Sequence, residues 1–148
     1  MKKYMITSIV YALIALCGGV FYREFTKFNA FEGSTTLSVI HTHYFVLGMM
    51  FFLLLLVLEK TFAFSNKKTN IALICYQVGL NITGIMFLTR GIVQTLGISV
   101  DSTTDAIISG FAGIGHVILG VSLIVFLVFL AKHIISQKKE SGSNEENL

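Results

Sequence analysis

Three histidines stand in or beside apolar runs of this chain: His41 and His43, two apart in VIHTHYFVLG, and His116 in GIGHVILG. An imidazole can ligate a metal, relay a proton or hold a neighbouring helix by a hydrogen bond, and it titrates near neutrality. Ionisable groups carried into lipid are costly and usually functional. Two imidazoles on different helices at one depth are also the arrangement that clamps a metal or a haem between helices.

The elements that must position them are membrane spans. The chain has 148 residues, which bounds it to one domain, and 54% of them are hydrophobic, which points away from a soluble fold. Four segments, about 4–21, 37–58, 70–93 and 107–131, supply the roughly 20 apolar residues a spanning helix needs. They are too long and too unalternating for barrel strands. The predicted fold is therefore all-α: an integral membrane four-helix bundle over residues 1–135, followed by a polar tail, 136–148, expected to be disordered. The amino-terminal KKYMITSIVYALIALCGGVF reads as a retained helix rather than a signal peptide, because Leu16 stands where a lipoprotein cleavage site wants a small residue.

Lysines fix the orientation. Lys2 and Lys3 precede the first span, Lys60, Lys67 and Lys68 lie between the second and third, and Lys132, Lys138 and Lys139 follow the fourth. Arg23, Lys27 and Arg90 alone occupy the other side, so both termini are predicted in the cytoplasm and the protein in the cytoplasmic (inner) membrane. The net charge of +3 is topology of this kind and gives no basic patch for nucleic acid. Cys17 and Cys75 fall near opposite membrane faces, which argues for packing rather than a disulfide. Phe21, Phe25 and Phe28 are spaced to continue the first helix along the interface, and Ser99, Asp101 and Ser102 suit the turn and cap before the fourth.

With both their helices entering from the outer face, His43 and His116 fall roughly 9–14 Å below it. His133 lies about 25 Å further along its helix and cannot join them. Gly110, Gly113, His116 and Gly120 share one helix face, a smooth surface against which a porphyrin edge could lie, although helix packing alone would also explain the glycines. A bare zinc or copper ion would want a third or fourth donor, and no cysteine or carboxylate sits at that depth. His41 points about 200° away from His43, towards a second cofactor, a neighbouring protomer or a hydrogen-bond partner. Arg90, just inside the outer end of the third span, can snorkel to the headgroups or pair with a haem propionate. Gln77, Asn81 and Gly84 form a polar and small stripe on the third span suited to interhelical hydrogen bonds, and Tyr11, Ala15, Gly18 and Tyr22 a similar seam on the first.

The stretch HTHYFVLG resembles the His-x-His motif followed by Leu-Gly in short four-helix bacterial membrane proteins related to the catalytic subunit of haem-copper oxidases. GVFYREFTKFNAF, LSVIHTHYFVLGM and GIGHVILG extend the likeness, to an uncharacterised bacterial family of this size, over nearly the whole chain. The resemblance implies that His43 and His116 are axial ligands of a b-type haem and that His41 matches the histidine of the oxygen-reducing centre. The three further histidines an oxidase needs for copper are missing, so haem binding is implied without oxygen reduction, and enzymatic activity is left open. There is no CxxCH for covalent attachment.

The expected function is thus a membrane haem b protein with bis-histidine ligation, serving electron transfer or gas and redox sensing. A quinone or a redox protein is the expected partner, and a homo-oligomer with His41 near its interface is expected to cover the porphyrin. Two alternatives remain. One is an assembly partner or small transporter whose histidines make interhelical hydrogen bonds, and the other a copper or zinc site on the same histidines.

Overall fold

A computed structural model describes the backbone of residues 1–145 and the side chains of residues 1–138. Four long helices account for nearly all of it: Lys2–Phe28, Leu37–Phe62, Lys67–Thr95 and Ser102–Glu145. Each is long and apolar enough to cross a bilayer. The protein is an all-α, multi-pass membrane four-helix bundle, and the even number of spans puts both ends on one side.

Local chemistry sets the helix ends. Asn66 starts the third helix with a capping box: its side chain accepts from the Lys68 and Thr69 amides, while the Thr69 hydroxyl accepts from the Asn66 amide. That cap begins the helix three residues before the apolar run. Asp101 does the same for the fourth helix, accepting from the amides of Thr103 and Thr104 and from the Thr104 hydroxyl. Those bonds hold its carboxyl below the usual carboxylate range. Ala30, Ala63 and Gly97, all in the left-handed region, stop the first three helices.

Two boundaries bear on the sequence expectations. The first helix runs on to Phe28, with Phe21 and Phe25 stacked at 5.0 Å, as the aromatic spacing predicts. The fourth runs well past the apolar segment to Glu145, so most of the expected disordered tail continues the helix. Gln137, Lys138 and Glu140 are good helix formers and no proline intervenes. The last three residues of that tail lie outside the described residues.

Between His43 and Phe51 the second helix widens into a π-helix over Tyr44–Met50. Such segments leave the normal ladder imperfect, and in lipid each freed carbonyl must find a donor. Here Tyr76 donates to the Leu47 carbonyl at 2.8 Å and Ser8 to that of Met49 at 2.9 Å. The inserted girth is absorbed at Gly48, where a Cβ would lie 2.7 Å from the Tyr11 ring.

The first helix packs on the second through Tyr4, Ser8, Tyr11 and Ala15, one buried face at helical spacing. At the end of the bundle that holds Tyr4 and Phe64 the core is aromatic, with Phe64 between Tyr4 (5.8 Å) and Phe126 (5.5 Å), and Phe51 on Tyr76 at 4.4 Å. The third and fourth helices cross almost backbone to backbone. A Cβ at Gly79 would lie 2.5 Å from the Leu119 amide nitrogen, and one at Gly115 would lie 2.9 Å from that of Thr83. Small residues at such crossings replace the hydrophobic drive that lipid does not supply.

Candidate functional site

Where the second helix begins, two threonines tie it to the third and set the height of His43. Thr36 donates to the Phe87 carbonyl at 2.8 Å, and Thr35 to that of Gly91 at 3.0 Å. Gly91 allows the approach, since a Cβ there would meet the Leu37 backbone at 2.7 Å. Two turns below this lock, His43 faces the fourth helix.

There it meets His116. The two ring centres are 6.3 Å apart and their planes are perpendicular, at 89°. Two imidazoles bound on opposite sides of a metal at about 2 Å per bond have ring centres roughly 6 Å apart. Both rings are held alike: His43 Nδ1 lies 3.0 Å from the Val39 carbonyl and His116 Nδ1 2.8 Å from that of Ala112, each four residues back on its own helix. A carbonyl only accepts, so each Nδ1 carries a proton, and in the neutral imidazole each Nε2 keeps its lone pair. Metal-ligating histidines are oriented by this kind of second bond.

Phe87, which the sequence did not single out, completes the cluster. Its ring lies edge-on to both imidazoles, 4.8 Å from His43 and 5.6 Å from His116. It packs against both imidazoles, so a flat group held between them would have to displace it. The two imidazoles are donors of the kind a haem takes, and Phe87 would have to turn aside to admit one. Phe87 is half-buried, and the face of the fourth helix beside it is open.

The remaining candidates take varied positions. A Cβ added at Gly113 or Gly120, as at Gly110, would meet no atom within 4 Å, so the glycine strip looks outward and packs on no other helix among the described residues. His116 beside it is exposed. Arg90, one turn outward of Phe87, donates to the Asp105 carboxylate on the fourth helix. That pair neutralises the arginine and leaves further guanidinium donors for an anionic group. Arg23 lies 3.7 Å from its neighbour Glu24 in an exposed pair, apart from the cluster. His133 donates through Nε2 to the Phe62 carbonyl at 3.0 Å, capping the second helix at the opposite end.

His41 lies against the first helix of its own chain. A Cβ on Gly19 would sit 3.6 Å from the His41 Cβ, and the His41 Nδ1 is buried without a hydrogen-bond partner. The two-residue spacing placed it opposite His43, and the first helix occupies that side. On the third helix, the Asn81 amide donates to the Tyr11 hydroxyl at 3.1 Å and to the Gln77 carbonyl at 2.8 Å, bridging to the first helix as its stripe predicts. The Gln77 side-chain amide donates to the Leu73 carbonyl of its own helix.

Among the described residues no three His, Cys, Asp or Glu side chains gather where they could hold a metal ion. Two imidazoles alone make a poor zinc or copper site, but they suffice where a porphyrin brings the other four nitrogens. A family model described as "Protein of unknown function (DUF2871)" matches residues 1–133. No curated protein and no solved structure matches the chain.

Proposed function

The chain belongs to the DUF2871 family, and from its own site we propose that it is a b-type haem protein of the cytoplasmic membrane, with His43 and His116 as axial ligands. The observation that carries this reading is the pair of perpendicular imidazoles from two helices, 6.3 Å apart, each with Nδ1 bound to a backbone carbonyl and Nε2 free. The resemblance to the haem-copper oxidase motif supports the same two residues. Haem held this way supplies one-electron chemistry. With His43 and His116 both holding the iron, the group would serve electron transfer or gas and redox sensing.

The chain's own residues do the rest. The i−4 carbonyls fix the tautomer and raise the basicity of each ligand. Gly113 and Gly120 leave a flat surface beside His116, and Arg90 stands at the outer rim where an anionic propionate would reach. The exposed His116 face is the one a second copy of the chain would cover, giving a homo-oligomer. Purified protein from haem-replete cells is expected to show a Soret band that sharpens on reduction and about one haem per chain. A colourless, folded protein from such cells would falsify the proposal.

Phe87 favours a second reading, in which the three rings are a packed aromatic cluster and the protein is a transporter or assembly partner. Phe87→Ala and Phe87→Trp separate the two. If the porphyrin must displace this ring, alanine raises haem affinity several-fold and tryptophan lowers it by at least as much. If the rings only pack, alanine at this half-buried position costs up to about 3 kcal/mol of stability, the low end for a buried phenylalanine, and neither variant binds haem.

A further inference from the structure

On the other side of the second helix, in the outer half of the bundle, a groove of about 470 Å³ opens towards the acyl chains between the first and third helices. We propose that it is a binding site for the headgroup of an isoprenoid quinone.

Its position and lining select that occupant. The groove opens among spanning helices, so what fills it comes from the bilayer. Ile14, Phe21, Ile40, Ile85 and Leu88 form apolar walls, and no charged residue lines it, so a phospholipid phosphate would find no counter-charge. The floor holds one phenol, that of Tyr44. Its hydroxyl makes a single bond, donated to Asn81 at 3.4 Å, against 2.8 Å for Tyr76 and 2.7 Å for Tyr4. A donor so loosely held is available to a carbonyl acceptor. Gly84 makes room for it against the third helix, because any Cβ at that position would overlap the Tyr44 hydroxyl. The Tyr44 ring is stacked on Tyr11 at 5.7 Å, so the donor sits on a rigid support. An uncharged, flat head with carbonyl oxygens on an isoprenoid tail fits apolar walls, one donor and a lateral opening. The volume falls in the range of roughly 300–1,000 Å³ that small-molecule sites occupy.

Tyr44 follows His43 in the chain, so a bound quinone would lie one residue from a proposed haem ligand. That partnership rests on the haem reading, whereas the groove is built without either imidazole.

Native mass spectrometry of the full chain in nanodiscs, containing phospholipid and a menaquinone with a four-unit tail, reads the occupant directly. One quinone adduct per chain is expected. Leu88→Trp, which fills the groove from its half-open rim, abolishes it, and Tyr44→Phe weakens it about tenfold, the effect of one lost hydrogen bond. Ile71→Trp, in the separate groove between the third and fourth helices, leaves it unchanged. A phospholipid adduct in place of quinone overturns the proposal, as does a quinone adduct indifferent to both groove variants. The wild type also separates the two readings: quinone without haem upholds the groove and removes the haem, while haem without quinone removes the groove alone.

Discussion

His43→Ala and His116→Ala are each expected to cost the protein its haem while leaving the four helices in place. Removing even an outer-shell partner of a metal ligand lowers affinity roughly 10- to 100-fold, so removing the ligand itself is expected to cost more than about a hundredfold. The structural cost is small by comparison. His116 is exposed and its one hydrogen bond stays within its own helix. His43 is half-buried, bonds likewise within its helix, and loses an edge contact with Phe87. Stability changes of about 1 kcal/mol or less follow for both. His41→Ala is the control. It removes a buried nitrogen that has no partner, so stability holds or rises slightly, and the Soret band persists. Spectra and thermal unfolding of the three variants check this together. Loss of the band in H41A with retention in H43A would reverse the assignment of ligands.

This asymmetry between His41 and His43 was legible in the sequence only in part. A two-residue spacing on a helix states that the two rings diverge, and it cannot state which neighbour each one meets. Spans that are apolar on every side give no periodicity to point the way. The four spans, the continuation of the first helix through its phenylalanines and the Asp101 cap followed from length, spacing and residue type. So did the convergence of His43 and His116, because equal depth is a matter of counting residues from a helix entrance.

The π-helical turn at Tyr44–Met50 left no such mark. It depends on Gly48 facing Tyr11 and on donors from Ser8 and Tyr76, three contacts between residues far apart in the chain. Phe87 was hidden for a related reason, as one of thirteen phenylalanines, distinguished only by what lies on either side of it. Its position one turn inward of Arg90 was a usable signal. The Arg90 pair with Asp105 likewise needed the crossing angle of two helices. Glycine was the least transparent residue: the strip at positions 110, 113 and 120 reads equally as packing or as an open face, and the structure makes it open.

The same ambiguity yields the other large effect. Gly79→Leu is expected to break the junction of the third and fourth helices, and Gly79→Ala to weaken it. A Cβ at this position would lie 2.5 Å from the nitrogen of Leu119, 2.9 Å from its Cα and 3.0 Å from the carbonyl oxygen of Gly115. All three are backbone atoms, so no side-chain rotation relieves the overlap and the helices must move apart. Overpacking of this kind costs about 1–3 kcal/mol for the smallest excess, and a leucine adds three more carbons to it. Separation at Gly79 also shifts His116, which lies between Gly115 and Leu119 on the fourth helix, relative to His43, so cofactor binding falls with stability. Gly113→Ala and Gly120→Ala, on the open face of the fourth helix, provide the comparison. Nothing lies within 4 Å of either, and alanine in a helix is favoured over glycine by about 1 kcal/mol, so both are expected to hold or gain stability. One substitution thus carries opposite signs on two faces, read by thermal unfolding in detergent. Equal tolerance of alanine at 79 and 113 would mean the third and fourth helices do not meet where their glycines allow.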